Sequence, residues 1–239
     1  MADLVSLEKR NGVAHVIMNS PPANAMSVAL MTQLTELLGQ LETDAESRAV
    51  IFRSALEKIF MAGADLKHLL RVDAKGFREY IKFAQDLVNR IETLPKPTFA
   101  VLSGHALGGG CEFALACDFR YMSETKAIIG LPEVTLGLLP GAGGTQRLPR
   151  LIGRSKAVEL LLTGNALKGP EALAIGLVDR IYPAEQLLEE SVKVAAKLAQ
   201  GATQAIGQIK ACLRSSSQDL LAGGLAQELE GIAYLFMQT

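Results

Sequence analysis

Two glutamates, Glu112 and Glu133, each stand as the only Asp, Glu, Lys or Arg in a long uncharged run, residues 97–117 for the first and 127–146 for the second. Each run also carries a glycine cluster. A carboxylate in such surroundings is costly to ionise, because withdrawal from water raises its pKa. That suits a group which must give and take a proton near neutral pH. The structural alternative is a buried glutamate paired with a distant Arg or Lys, and either residue alone fits both readings. Two such residues beside two glycine clusters favour chemistry.

Small residues crowd two further segments, Met61-Ala62-Gly63-Ala64-Asp65 and Gly108-Gly109-Gly110. With no bulky group on Cβ, a ligand can approach the backbone there and meet its N–H groups. Gly109 and Gly110 precede a predicted helix, where unpaired N–H groups and the helix dipole favour an anionic oxygen. A second amide from Ala64 would complete an oxyanion hole, each donor worth roughly 3–4 kcal/mol where a carbonyl oxygen gains charge. A glycine triplet by itself is more simply explained by close packing of helix on strand.

These residues need elements to position them. Residues 4–9 and 13–19 read as strands joined at Arg10-Asn11-Gly12, a hairpin signal because Asn-Gly tolerates positive φ. Ser27 is placed to cap a helix with an apolar face of Leu30, Leu34, Leu37, Leu38 and Leu41. Residues 49–53 predict a strand, a loop runs to Asp65, and 74–94 predict a helix carrying Phe77, Ile81, Ala84, Val88 and Ile91, stopped by Pro95 and Pro97. Next come a buried strand at 98–102, a helix at 111–116 and strands at 118–122 and 126–129. Beyond Gly143 the pattern turns mostly helical, over 154–162, 170–175, 184–200, 203–214 and 220–237. The strand, strand, helix order recurs without a strict sequence repeat. An α/β fold follows, with a sheet-bearing core and a helical C-terminal part.

Composition excludes several classes. The 239 residues, 49% hydrophobic and 5% aromatic with no Trp, are enough to bury a substantial aliphatic core. A net charge of −1 offers no general attraction to nucleic acid or to an anionic membrane, so neither is expected as a partner. Cys111, Cys117 and Cys212 lack CxxC spacing, which points to a reduced, cytoplasmic setting. His15, His68 and His105 form no HExxH pair, and no metal site is expected. The first residues have neither the basic start and apolar core of a signal peptide nor the Arg-rich character of a transit peptide. Each long apolar stretch is broken by Pro, several Gly or a Glu, so none reads as a membrane span.

Four blocks carry a family likeness: Met61-Ala62-Gly63-Ala64-Asp65-Leu66-Lys67, residues 104–112, Leu131-Pro132-Glu133, and residues 140–148. In order and spacing they resemble the successive signature blocks of the crotonase, or enoyl-CoA hydratase, family, along nearly the whole chain. The resemblance implies a spiral of ββα units over residues 1–200, holding the CoA-binding and catalytic site. It implies a helical trimerisation region over 201–239, hence a homotrimer or homohexamer. An acyl-CoA thioester is the implied substrate, coenzyme A arriving as part of it and no separate cofactor being needed.

Carried over residue by residue, the resemblance assigns oxyanion-hole amides to Ala64 and Gly109 and catalytic carboxylates to Glu112 and Glu133. Ala25, in Asn24-Ala25-Met26, matches the segment along the pantetheine arm, and Asp65, Leu66 and Lys67 match the stretch near the adenine and its phosphates. Gly141 matches a glycine whose N–H holds the catalytic water or orients a glutamate. The implied reaction is hydration of a trans-2-enoyl-CoA, Glu112 orienting and deprotonating the water and Glu133 supplying the proton at C2. Fatty-acid β-oxidation is the pathway the likeness suggests.

An enoyl-CoA delta isomerase is the main rival within the family, and it needs only one carboxylate base. Retention of both favours the hydratase. Decarboxylases, hydrolases and dehalogenases would use the same oxyanion hole with other residues. An RNA-binding role is disfavoured by charge, and a Ser-His-Asp hydrolase on the related ClpP-like fold by the lack of a GxSxG elbow. Two departures stand out. The sequence ends at Thr239, where hydratases usually continue with another helix that covers the acyl or CoA site, so the C-terminal region is expected to be shortened. His68 follows Lys67 at a position more usually acidic.

Overall fold

Strands β1 (Val5–Arg10) and β2 (Val13–Met18) form the expected antiparallel hairpin, turned by Asn11 and Gly12 at φ 53° and 77°. Helix α1 (Val28–Thr43) follows, its first turn capped by Ser27 Oγ, which accepts from the Leu30 N–H at 3.2 Å. From here the chain repeats one pattern. The first turn of the spiral is β3 (Ala49–Ser54), β4 (Ile59–Met61), the short α2 (Leu66–Leu69) and the long α3 (Ala74–Thr93). The second is β5 (Thr98–Leu102), β6 (His105–Leu107) and α4 (Gly109–Ala116). The third is β7 (Phe119–Ser123), β8 (Ile128–Gly130), a 3-10 turn at Glu133–Leu136 and α5 (Gly144–Ile152). Then come α6 (Arg154–Thr163), β9 (Ala166–Lys168), α7 (Gly169–Ala174), β10 (Arg180–Tyr182), α8 (Ala184–Gln200) and α9 (Thr203–Ser215). The computed structural model describes residues 3–215 together with 225, 226, 229 and 233.

Each repeat sends its first strand to one sheet and its second to another. The larger sheet runs β1-β2-β3-β5-β7-β10 and the smaller β4-β6-β8-β9. Within them β3, β5 and β7 are mutually parallel, as are β4, β6 and β8. The larger sheet is covered on both faces, so its central strands read as continuous apolar runs rather than alternating ones. Val50, Phe52, Ala100 and Leu102 point into the main core with α1, α3 and α4. Ile51, Phe99 and Tyr121 point the other way, against Leu187, Ala195 and Ala199 of α8. Strand period two thus sorts each run between two helical layers. This is the spiral of ββα units that the resemblance implies.

The differences from expectation are local. Gly109 and Gly110 begin α4 rather than precede it. Helix α5 was not expected, because glycines at its start and Pro149 inside it lower its helix propensity. Strands β9 and β10 interrupt a region expected to be helical; three-residue strands carry no readable period, and pairing with β8 and β7 creates them. The helix expected at 220–237 falls outside the described residues except for Leu225, Ala226, Leu229 and Ala233, each of which is helical. Helix α9 is tied to the core by Lys210, whose Nζ meets Asp118 Oδ2 at 2.6 Å and the Lys96 carbonyl at 2.9 Å. No helix among the described residues is long and apolar enough to cross a membrane.

Candidate active site

The smaller sheet aims the site. Strand β6 ends at Leu107, Gly108 turns the chain at φ 54°, and α4 begins at Gly109. Because Gly109 is the first residue of α4, helix geometry gives its N–H no carbonyl four residues back to bond. Gly63, at φ 97°, packs so closely that a Cβ there would stand 3.1 Å from the Gly109 nitrogen. The 62–64 segment therefore lies against the helix start. It pairs on its other side with residues 23–26: the Ala62 N–H donates to the Ala23 carbonyl at 3.1 Å and the Met26 N–H to the Gly63 carbonyl at 2.8 Å. Neither bond uses the Ala64 amide, and the next amide, of Asp65, donates to Tyr80 Oη at 3.0 Å.

Asn24 anchors this arrangement from below. Fully buried, it accepts from the Ser20 N–H and donates to Ser54 Oγ and the Phe60 carbonyl, at 2.7, 2.8 and 2.9 Å. Tyr80 of α3 ties the two segments together, its hydroxyl accepting from the Asp65 amide and donating to the Met26 carbonyl at 2.8 Å. Burial pushes the Tyr80 phenol up, so the group stays protonated and keeps its donor role.

One cavity of about 120 Å³ gathers these parts. Glu112, Glu133, Ala64, Gly109, Leu66 and Gly141 all line it, with apolar walls that include Met26, Leu69, Ile81 and Leu139. Glu112 is 2% exposed, and its Oε1 accepts from the amides of Ala142 at 2.7 Å and Gly144 at 2.8 Å. Glu133 opens the 3-10 turn and brings Oε1 to within 3.0 Å of where a Cβ on Gly108 would stand. Any side chain at position 108 would therefore press on that carboxylate. Ala25, Asp65 and Lys67 do not line the cavity. Asp65 Oδ1 caps α2 by accepting from the Lys67 and His68 amides, at 3.1 and 3.2 Å, and Lys67 itself is exposed. Ala25 lies beside Met26, its carbonyl taking the Ser27 amide.

A larger groove of about 1110 Å³ between the end of α1 and α9 holds none of these residues. Its cations are engaged within the fold, Arg48 with Thr203 and the Gly201 carbonyl, Lys96 with the Leu41 and Asp44 carbonyls. Among the described residues, no group of three or more His, Cys, Asp or Glu is arranged to hold a metal ion.

Burial raises the Glu112 carboxyl pKa, opposed by the Gly144 and Ala142 amides and by the charge of Arg147. With its folded-state pKa above the unfolded value, Glu112 holds its proton more tightly in the folded protein. Stability therefore falls as pH rises through that window, because an ionised carboxylate must then stay buried. Glutamine keeps the acceptor without the charge. We expect Glu112→Gln to melt above the wild type at about pH 8 and to lose that advantage by about pH 4, near the unfolded carboxyl pKa. A variant no more stable than wild type at the higher pH would contradict the assigned cost of burying this charge.

Some residues of the site escaped sequence reading. Gly141 lines the cavity and its carbonyl accepts from Gln85 Nε2 at 2.9 Å, while the amides that orient Glu112 come from Ala142 and Gly144, two residues not singled out by the sequence. Gln85 had a readable signal, a polar residue inside the apolar stripe of α3 and only 3% exposed. Arg147 and Tyr80 had none, since nothing local marks either as buried.

Parallel ββα turns that bring Glu112, Glu133, Ala64 and Gly109 to the lining of one small cavity define a protein of the crotonase class. A family model described as enoyl-CoA hydratase/isomerase matches residues 8–239. A short-chain-enoyl-CoA hydratase from Clostridium acetobutylicum is 38% identical over 97% of this chain and 89% of its own length. The human mitochondrial enoyl-CoA hydratase domain-containing protein 2 is 39% identical over 93% of this chain and 77% of its own. The crystal structure of an enoyl-CoA hydratase from Bacillus anthracis superposes with a TM-score of 0.87 at 37% identity, covering 97% of this chain and 92% of that one. The chain belongs to the enoyl-CoA hydratase/isomerase family.

Proposed function

We propose that the protein is an enoyl-CoA hydratase that adds water reversibly, in syn fashion, to a trans-2-enoyl-CoA and yields a 3-hydroxyacyl-CoA. The observation that carries this reading is the presence of two carboxylates, Glu112 and Glu133, in the cavity that Ala64 and Gly109 also line. Water's oxygen bonds to C3 as its proton passes to Glu112, while Glu133 delivers a proton to C2. The π electrons of the double bond move toward the thioester, whose oxygen gains charge. Amides of Ala64 and Gly109 stabilise that oxygen, each donor contributing roughly 3–4 kcal/mol in the transition state. Apolar walls exclude bulk water and hold the acyl group, and Leu66 with Asp65 and Lys67 lies where the nucleotide end of coenzyme A would pass. Ala25 borders the pantetheine path. Assembly into a homotrimer or homohexamer, a role in fatty-acid β-oxidation and a cytoplasmic setting belong to the same reading. A relative named as a short-chain-enoyl-CoA hydratase supports it.

Mixing the protein with crotonyl-CoA tests the reaction. We expect the conjugated enoyl absorbance to fall as 3-hydroxybutyryl-CoA forms. Migration of a 3-enoyl double bond with no water added would assign the isomerase chemistry instead.

A further inference from the structure

Glu112 owes its position to a loop that a different helix holds. The amides that fix its Oε1 belong to Ala142 and Gly144, yet the carbonyls of the same loop are held by other groups, that of Gly141 by α3 and that of Ala142 by Arg147. There Gln85 Nε2 donates to the Gly141 carbonyl at 2.9 Å and also to the Leu225 carbonyl at 3.2 Å. Arg147, 6% exposed, reaches back from α5 and donates through Nη1 to the Ala142 carbonyl at 3.0 Å. The rest of its guanidinium is held by α3: Nε and Nη2 on Glu92 Oε2 at 3.1 and 2.7 Å, and Nη2 on Asn89 Oδ1 at 2.6 Å. Gln85, Asn89 and Glu92 are spaced four and three residues apart, so they form one stripe of α3. Gly143 leaves the passage for this contact, because a Cβ on it would stand 1.9 Å from Arg147 Nη1.

We propose that the Gln85, Asn89 and Glu92 stripe of α3, Gln85 directly and the other two through Arg147, is a set of positioning residues that clamps the 141–144 loop and so sets the orientation of Glu112. This rests on the hydratase reading for Glu112's role in catalysis, though not for the clamp itself. The Gly141–Ala142 peptide unit is held from both sides, its carbonyl by Gln85 and its amide by Glu112, and Arg147 holds the next carbonyl, of Ala142. Loosening the carbonyl side frees the amide side. A buried guanidinium is expensive to desolvate, and here all of its nitrogens find acceptors, as a built support requires. The ionisable groups near Glu112 are Arg147 of α5, Glu133 of the 3-10 turn, Tyr80 of α3 and Cys111 of α4. Only Arg147 is a cation, so removing it takes away both a hydrogen-bonded support and a favourable charge.

Gln85→Met and Arg147→Met, assayed on crotonyl-CoA, test the proposal. Displacement of a reacting group by an ångström costs on the order of 10²-fold in rate, so kcat should fall toward that size while KM changes little. The acid limb of the pH–rate profile should move to higher pH in Arg147→Met, because the carboxylate loses stabilisation. A merely structural role would lower the active fraction at every pH and leave the limb in place. Folded variants with wild-type kcat and an unmoved limb would overturn the clamp. If Arg147→Met does not fold, Gln85→Met, which removes only a pair of neutral hydrogen bonds, decides by its kcat. If the wild type fails to hydrate crotonyl-CoA, the hydratase reading falls, and infrared titration of the carboxyl band lost in Glu112→Gln still tests the clamp. A titration that is unchanged in both variants would refute it.

Discussion

Replacing either glutamate with glutamine is expected to stop hydration of crotonyl-CoA, with kcat falling on the order of 10³-fold for Glu112→Gln and similarly for Glu133→Gln. Each substitution keeps the shape of the side chain and removes its capacity to take or give a proton. Glu112 Oε1 is committed to the Ala142 and Gly144 amides, and a glutamine oxygen can accept the same two bonds. The loss would therefore report chemistry rather than collapse of the cavity. Two carboxylates serving one water act as a unit, so the double variant should be scarcely worse than either single one. Initial rates, with acyl-CoA binding measured separately, check this. Normal turnover in either single variant, or multiplicative losses in the double, would sink the paired mechanism. Because each charge alters the other's titration, the pH–rate profile belongs to the pair.

Gly110→Ala should be the most damaging glycine substitution in the site. An added Cβ would lie 2.0 Å from the Met61 carbonyl oxygen and 2.8 Å from its carbon, and a backbone in β4 cannot step aside as a flexible side chain can. Helix α4 would have to lift from the smaller sheet, carrying the Gly109 amide and Glu112 with it. Overpacking of this kind costs about 1–3 kcal/mol, or more where backbone must move, and the accompanying misplacement costs on the order of 10²-fold in kcat. Gly137→Ala is the matched comparison. Gly137 has φ 70° with nothing within 4 Å of an added Cβ, so only the strain of a left-handed residue applies, about 1 kcal/mol. Chemical denaturation and kcat for the two variants separate the cases. Equal stability and full activity in both would show that α4 does not depend on this contact.

Much of the fold was legible because long helices and buried strands write their period into the chain. Helix α3 was expected over 74–94 and occupies Ala74–Thr93, since its apolar face and the prolines beyond it are local signals. Strand β5 runs over Thr98–Leu102, the residues expected. Short elements were not legible. β9 and β10 are three residues each and exist through partners, and α5 starts on glycines that ordinarily discourage a helix. Among the site residues, the expected Asp65 proves to spend its carboxylate on capping α2, a use its motif does not distinguish from ligand contact.

From the sequence alone came the two isolated carboxylates, the small residues that let backbone approach a ligand, and the order of motifs that marks the family. These are properties of residue type and short spacing, which need no folded chain to be read. Only the tertiary structure decided that Glu112 and Glu133 share one cavity, and that the amides holding Glu112 come from 30 and 32 residues further along. It also decided that α3, remote in sequence, carries the loop those amides belong to. Such contacts arise when successive ββα turns stack in register, and no local period encodes which carbonyl will meet which side chain across that stack.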